Sequence, residues 1–304
     1  MRLGVVPRTF LAIVAAVTAM GAAATPAPTD TTGASPSTSP SPTTSPSPSG
    51  SPSASPSASP TLPPPPPAEI LVNFDPGNIV SDAVFYNTDT MTAADIQTFL
   101  EQKNPQCIPG ADGTMCLKNF RANTRTKAAD DHCSAYQGAR RERASTIIYK
   151  VSQACGINPQ VLLVLLQKEQ SLVTDTGANL YMKRYWSATG YKCTDTAPCD
   201  PRYKGFFLQV YTAAWRMRDY VLNPANFTYR AGMTADVKYN PKVECGTAPV
   251  TIANEATAIL YNYTPYQPNA WALAAGTGLG DNCSSYGNRN FYNNFTAWFG
   301  STQG

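Results

Sequence analysis

Apolar residues fall into three regimes along this chain. They run almost unbroken from Phe10 to Met20, nearly vanish over 25–67, and return at helical spacing from Ala68 onwards. In the third regime the helix signals are local. Thr92 followed three positions later by Asp95 reads as a reciprocal cap, and Met91 is placed to staple onto Ile96, so a helix is predicted over 93–103. A second is predicted over about 140–154, stopped at Cys155-Gly156. The strongest pattern comes next. Asn158 reads as a cap, Pro159 as the first helical residue and Ile157 as a staple onto Leu162, ahead of the apolar run Val161 to Leu166 and then Gln167-Lys168-Glu169-Gln170. Further helices are predicted over 208–222, 252–261 and 290–299, the last with Phe291, Phe295, Trp298 and Phe299 at core spacing. Strand patterns are few. The expected fold class is therefore mainly α (α+β with minor strand content), with long loops.

The first two regimes are not part of that fold. A basic lead holding Arg2 and Arg8, the apolar run, and Gly21-Ala22-Ala23-Ala24 make a secretory signal peptide over 1–24, cleaved after Ala24. The run is short of the roughly 20 apolar residues that a spanning helix needs. Residues 25–67 are almost only Ser, Pro, Thr, Ala and Gly, too poor in apolar surface to fold, and read as a disordered linker. At ~3.1 Å per residue such a stretch reaches roughly 130 Å when fully extended. Residues 68–304 then form one domain large enough for a full core.

Composition adds a compartment and removes several chemistries. All eight cysteines lie beyond the linker, an even set that argues for disulfides in an exported chain. Cys107–Cys116 and Cys193–Cys199 each close a short local loop, and Cys133–Cys155 and Cys245–Cys283 are left by elimination. No two cysteines stand at zinc-knuckle spacing, no glycine loop cradles a phosphate, and no metal or other cofactor is expected. The net charge of +3 falls close to neutral once Arg2 and Arg8 leave, which gives no footprint for nucleic acid or for an anionic membrane. His132 is the sole histidine, and its neighbour Cys133 is expected to be oxidised, which argues against a Ser-His-Asp or Cys-His engine.

One carboxylate stands apart. Leu162, Leu165, Leu166 and Glu169 fall at i, i+3, i+4 and i+7, so an ionisable group ends the most apolar stripe in the chain. Loss of solvation there is expected to raise its pKa towards what a general acid needs. Lys168, about 100° round the helix, is expected not to cancel the effect. Candidate sugar-stacking aromatics cluster downstream, among them Tyr181, Tyr185, Trp186, Tyr191 and Tyr203, and more follow in Tyr261-Asn262-Tyr263-Thr264-Pro265-Tyr266.

Three motifs in order carry a resemblance: Leu165-Leu166-Gln167-Lys168-Glu169-Gln170, then Gly205-Phe206-Phe207-Leu208-Gln209-Val210, then Ile259-Leu260-Tyr261-Asn262. This succession resembles the goose-type lysozyme and lytic transglycosylase superfamily, and the wider chain resembles a set of secreted actinobacterial-type proteins. The resemblance implies a lysozyme-like helical domain that cleaves the β-1,4 bond between N-acetylmuramic acid and N-acetylglucosamine in peptidoglycan. Glu169 would protonate the glycosidic oxygen. Gln209, Tyr261 and Asn262 would position the glutamate and the substrate's acetamido group. A second carboxylate would come from Asp175, Asp195 or Asp200, or none is needed if the substrate's own groups attack the sugar carbon, as in the transglycosylase branch. Gln170 stands where the transglycosylases carry serine, the Gly-to-Gln segment is one residue longer, and leucine replaces alanine before the Tyr-Asn pair. These departures favour a rival, a non-catalytic, adhesin-like module that binds carbohydrate or cell wall on the same fold. On either reading the chain is expected to act outside the cytoplasm as a monomer, with peptidoglycan or another wall polysaccharide as its partner.

Overall fold

The computed structural model describes residues 73–193 and 198–304; the signal peptide and linker expected over 1–24 and 25–67 lie outside the described residues. In chain order the helices are α1 (Asp82–Phe85), α2 (Ala93–Lys103), α3 (Ala144–Cys155), α4 (Pro159–Gln170), α5 (Met182–Trp186), α6 (Phe206–Leu222), α7 (Glu255–Tyr263), α8 (Ala270–Ala274) and α9 (Gly287–Phe299). The strands are β1 (Arg121–Ala122) and β2 (Glu142–Arg143), which pair antiparallel, and the hairpin of β3 (Thr234–Lys238) and β4 (Thr247–Thr251). The protein is mainly α with minor strand content, as its periodicity implies.

Helix α4 is the axis of the core. Pro159 and every residue from Val161 to Leu166 are buried, so it is apolar on all sides and needs cover on all of them. α9 and α3 supply much of it, α3 also packs on α2 and α6, and α6 on α7. The expected cap holds the helix in place: the Asn158 side chain accepts from Gln160 N at 2.8 Å and from Thr90 Oγ1 at 2.7 Å, and donates to Val84 O at 2.7 Å. From α9, Phe291 and Phe295 enter the core fully, while Trp298 and Phe299 are half-buried against it.

Two departures from the predicted elements have local causes. α3 begins at Ala144 rather than near 140, because Arg141 turns to a left-handed φ of 49° and Glu142 enters β2. The buried Glu142 carboxylate accepts from Tyr136 Oη at 2.6 Å, Thr124 Oγ1 at 2.7 Å and Lys150 Nζ at 2.6 Å, which fixes that turn from three sides. α7 begins at Glu255 rather than 252, since β4 runs to Thr251 and the Asn254 side chain caps the helix by accepting from Thr257 N.

All four expected disulfides are formed, with Cα separations of 5.9 Å (Cys107–Cys116), 4.2 Å (Cys133–Cys155), 4.0 Å (Cys193–Cys199) and 5.3 Å (Cys245–Cys283). Cys133–Cys155 ties a loop to the end of α3, and Cys245–Cys283 ties the turn between β3 and β4 to the segment before α9. Among the described residues no helix is long and apolar enough to cross a membrane.

Candidate functional site

Glu169 leaves the core in the last turn of α4, just before Ser171 closes the helix in a left-handed conformation. Its side chain is 25 % exposed and borders an open cleft of about 360 Å³. Lys168, whose side chain is only 3 % exposed, bends back into the same place: its Nζ lies 2.6 Å from Glu169 Oε1 and donates to Thr264 Oγ1 at 2.8 Å. The offset on which Lys168 was expected not to cancel the effect does not keep the two charges apart. A helical offset of 100° fixes Cα directions, but a four-carbon stem can span that angle to pair a buried ammonium.

The other wall is the loop after α5. Gly190 there has φ of 69°, and a Cβ on it would stand 2.9 Å from Glu169 Oε2 and 3.3 Å from its Cδ. Only glycine combines that backbone angle with that approach. Gln209, buried on α6, holds the loop: its Oε1 accepts from Tyr191 N at 3.1 Å and from Thr189 Oγ1 at 3.2 Å, while its Nε2 donates to Tyr191 O at 3.1 Å and Tyr203 O at 2.9 Å. Beneath the loop Tyr263 donates to Thr189 O at 2.7 Å. Burial first, and the nearby Glu169 charge second, push the Tyr263 phenol well above its ordinary value, so it remains a neutral donor.

The residues expected at the site are thus only partly brought together. Glu169 lines the cleft, and Gln209 reaches it through the Thr189–Tyr191 backbone rather than by touching the carboxylate. Tyr261 is fully buried and donates to Pro76 O at 2.9 Å. Asn262 clamps Tyr229, accepting from its N at 3.0 Å and donating to its O at 2.8 Å. Neither is among the residues lining the Glu169 cleft.

The aromatics are also arranged differently from expectation. Tyr185 is buried, stacked on Phe120 with centroids 3.8 Å apart and bonded to Met115 O at 2.8 Å, so it has no face for a sugar. Trp186 is exposed, with Lys204 Nζ 3.4 Å from its ring centroid. Tyr203 lies half-buried, edge-on to Tyr191 at 4.9 Å. The tyrosines that line the cleft, Tyr263 and Tyr266, come from the second expected stretch. Tyr261 and Tyr263 stand about 200° apart round one helix, so when the first faces the core the second faces the cleft.

Glu169 is the one acid among the described residues of the cleft lining. Asp175 pairs with Arg184 at 2.7 Å, and burial outweighs that cation in raising its pKa. Asp200 is engaged by Arg202 at 2.6 Å, whose bonds hold its carboxyl below the ordinary range. Asp195 lies outside the described residues. His132 is stacked on Trp215 with Asp219 Oδ1 at 3.2 Å, and Cys133 beside it is oxidised. No group of three or more His, Cys, Asp or Glu among the described residues could hold a metal ion.

Fold and site define a disulfide-bonded, mainly α domain with a paired carboxylate in an open cleft. Residues 78–304 match the family model of the LasA N-terminal domain, and the chain belongs to that family. No curated protein and no solved structure matches it. The lysozyme-like resemblance rests on the three motifs alone.

Proposed function

We propose that this domain is secreted and acts on the glycan of the cell wall, as a glycosidase or lytic transglycosylase with Glu169 as its acid/base. Membership of the LasA family points to a secreted, cell-wall-active protein, and four disulfides with no free cysteine suit an oxidising compartment. The observation that carries the glycosidase reading is the held carboxylate. Glu169 is fixed between the Lys168 ammonium and the backbone of Gly190, at the wall of a cleft open enough for a sugar, with the loop above it locked by a buried glutamine. Such support is what a proton-transfer group needs.

In the proposed reaction Glu169 gives its proton to the glycosidic oxygen as the bond to the sugar carbon breaks. With one acid in the described lining, the branch in which the substrate's own hydroxyl attacks that carbon and gives its proton back to the Glu169 carboxylate fits better than a carboxylate pair. Lys168, held on Thr264, stabilises the carboxylate left after the proton has gone. The protein works as a monomer on peptidoglycan, without a cofactor.

The same ion pair favours a second reading. The Lys168 ammonium at 2.6 Å occupies one oxygen of the carboxylate, and a paired Glu169 would suit a carbohydrate-binding, adhesin-like module. Incubation with purified peptidoglycan separates the two. Muropeptides released by the wild type and not by Glu169→Gln support the enzyme; sedimentation of both with the wall and release by neither leaves the binding module.

A further inference from the structure

Gly190, Cys193 and Tyr263 of the Glu169 cleft also line a neighbouring cavity of about 390 Å³, so the two adjoin at the Gly190 loop. The second cavity has a different character. Its walls are the rings of Tyr191, Tyr220 and Phe227, and its charged groups among the described residues are Lys192 and Arg216, with no acid in the described lining. Arg216 is braced from behind by Asp219, to which Nη1 donates, and by Tyr191 Oη at 3.4 Å from Nη2. Those bonds use two of the five guanidinium N–H groups, and the side chain is still 24 % exposed. Lys192 is exposed on the same loop, held at φ of 55°.

We propose that this cavity is a binding site for the carboxylate-bearing peptide arm of a peptidoglycan strand whose sugars cross the Glu169 cleft. The inference rests on the glycan-cleaving reading and narrows its substrate to strands that carry peptide. A strand without its peptides keeps only the lactyl carboxylate on each muramic acid, next to the sugar ring, while Asp219 already pairs one side of Arg216 and leaves its remaining N–H groups and Lys192 to a ligand that reaches further from the glycan. A peptide arm brings carboxylates, which a fixed guanidinium binds through paired N–H groups, and apolar side chains for the three rings.

The test uses the full chain and two soluble ligands: peptidoglycan strands with their peptides, and the same strands stripped by an amidase, which keep a lactyl carboxylate on each muramic acid but lose the carboxylates and apolar side chains of the peptide arm. Affinities are measured by calorimetry at two salt concentrations. The wild type is expected to prefer peptide-bearing strands, and the preference to shrink at high salt. Lys192→Asn removes the charge while suiting the left-handed backbone, and is expected to weaken peptide-bearing strands by roughly three- to five-fold with stripped strands unchanged. Arg216→Gln, checked for an unchanged thermal transition, is expected to weaken the same ligand further. Equal affinity for both strands in the wild type would overturn this inference and leave the glycan reading standing. Binding of neither would overturn both.

Discussion

Replacing Gly190 by alanine tests the carboxylate cradle without touching its charge. Two costs arise, and they separate. The first is backbone strain: a non-glycine residue held at φ of 69° costs about 1–2 kcal/mol. In a domain of this size that lowers the thermal midpoint by roughly 2–8 °C. The second is local. The new Cβ would sit 2.9 Å from Glu169 Oε2, where ordinary contact begins at 3.4 Å, so the carboxylate has to withdraw by about 0.5 Å. Misplacing a catalytic group by 1 Å can cost ~100-fold in rate, and half of that displacement is expected to cost about ten-fold. Gly156→Ala is the control. Gly156 has nearly the same φ, 66°, at the end of α3, with nothing within 4 Å of its Cβ position. The assays are muropeptide release from peptidoglycan and thermal unfolding, run on both variants. Both are expected to lose similar stability, and only Gly190→Ala to lose rate. Equal activity in the two would refute the cradle.

Gln209→Leu leaves the backbone groups of Thr189, Tyr191 and Tyr203 without their buried partner, and is expected to cost about 2 kcal/mol in denaturant unfolding together with most of the activity. The loss of activity should exceed that of an equally destabilising core variant far from the cleft. Glu142 carries a pH dependence of stability. Although burial raises its pKa, the bonds from Lys150, Tyr136 and Thr124 outweigh this and hold it below the ordinary carboxylate value. Its contribution is therefore present above that value and lost as the pH falls through the depressed one. Glu142→Gln is expected to destabilise by about 2 kcal/mol at pH 7, with the gap to wild type narrowing as the pH falls through the depressed value in the same unfolding assay. A gap that stays constant across that range would contradict the charged network.

The elements that could be read from the chain are those fixed by neighbours in sequence. α2 starts where Thr92 and Asp95 put it, and α4 starts at Pro159 behind Asn158, because both caps act within three residues. The start of α3 could not be read the same way, since the turn at Arg141 is held by Glu142 reaching Tyr136 and Thr124 across the chain. The β3–β4 hairpin gave little signal, as each strand buries one residue fully, Val237 and Val250. At the site, Glu169 was legible because helical spacing alone sets it at the end of an apolar stripe. Lys168 was misjudged because spacing constrains where a side chain starts and not where a long one ends. The choice between Tyr261 and Tyr263 depends on which face of α7 meets the core, a tertiary fact. So does the burial of Tyr185, which shares its composition and neighbourhood with exposed Trp186.

Cleavage of the glycan turns on one carboxyl. The most direct measurement is mass spectrometry of soluble products from purified peptidoglycan treated with wild type or Glu169→Gln, alongside binding of both proteins to the same wall. Muropeptides with reducing or anhydro ends from the wild type, and none from a variant that still binds, are the expected result. Equal release by the two proteins, or no release from a wild type that binds the wall as tightly as the variant, would contradict it.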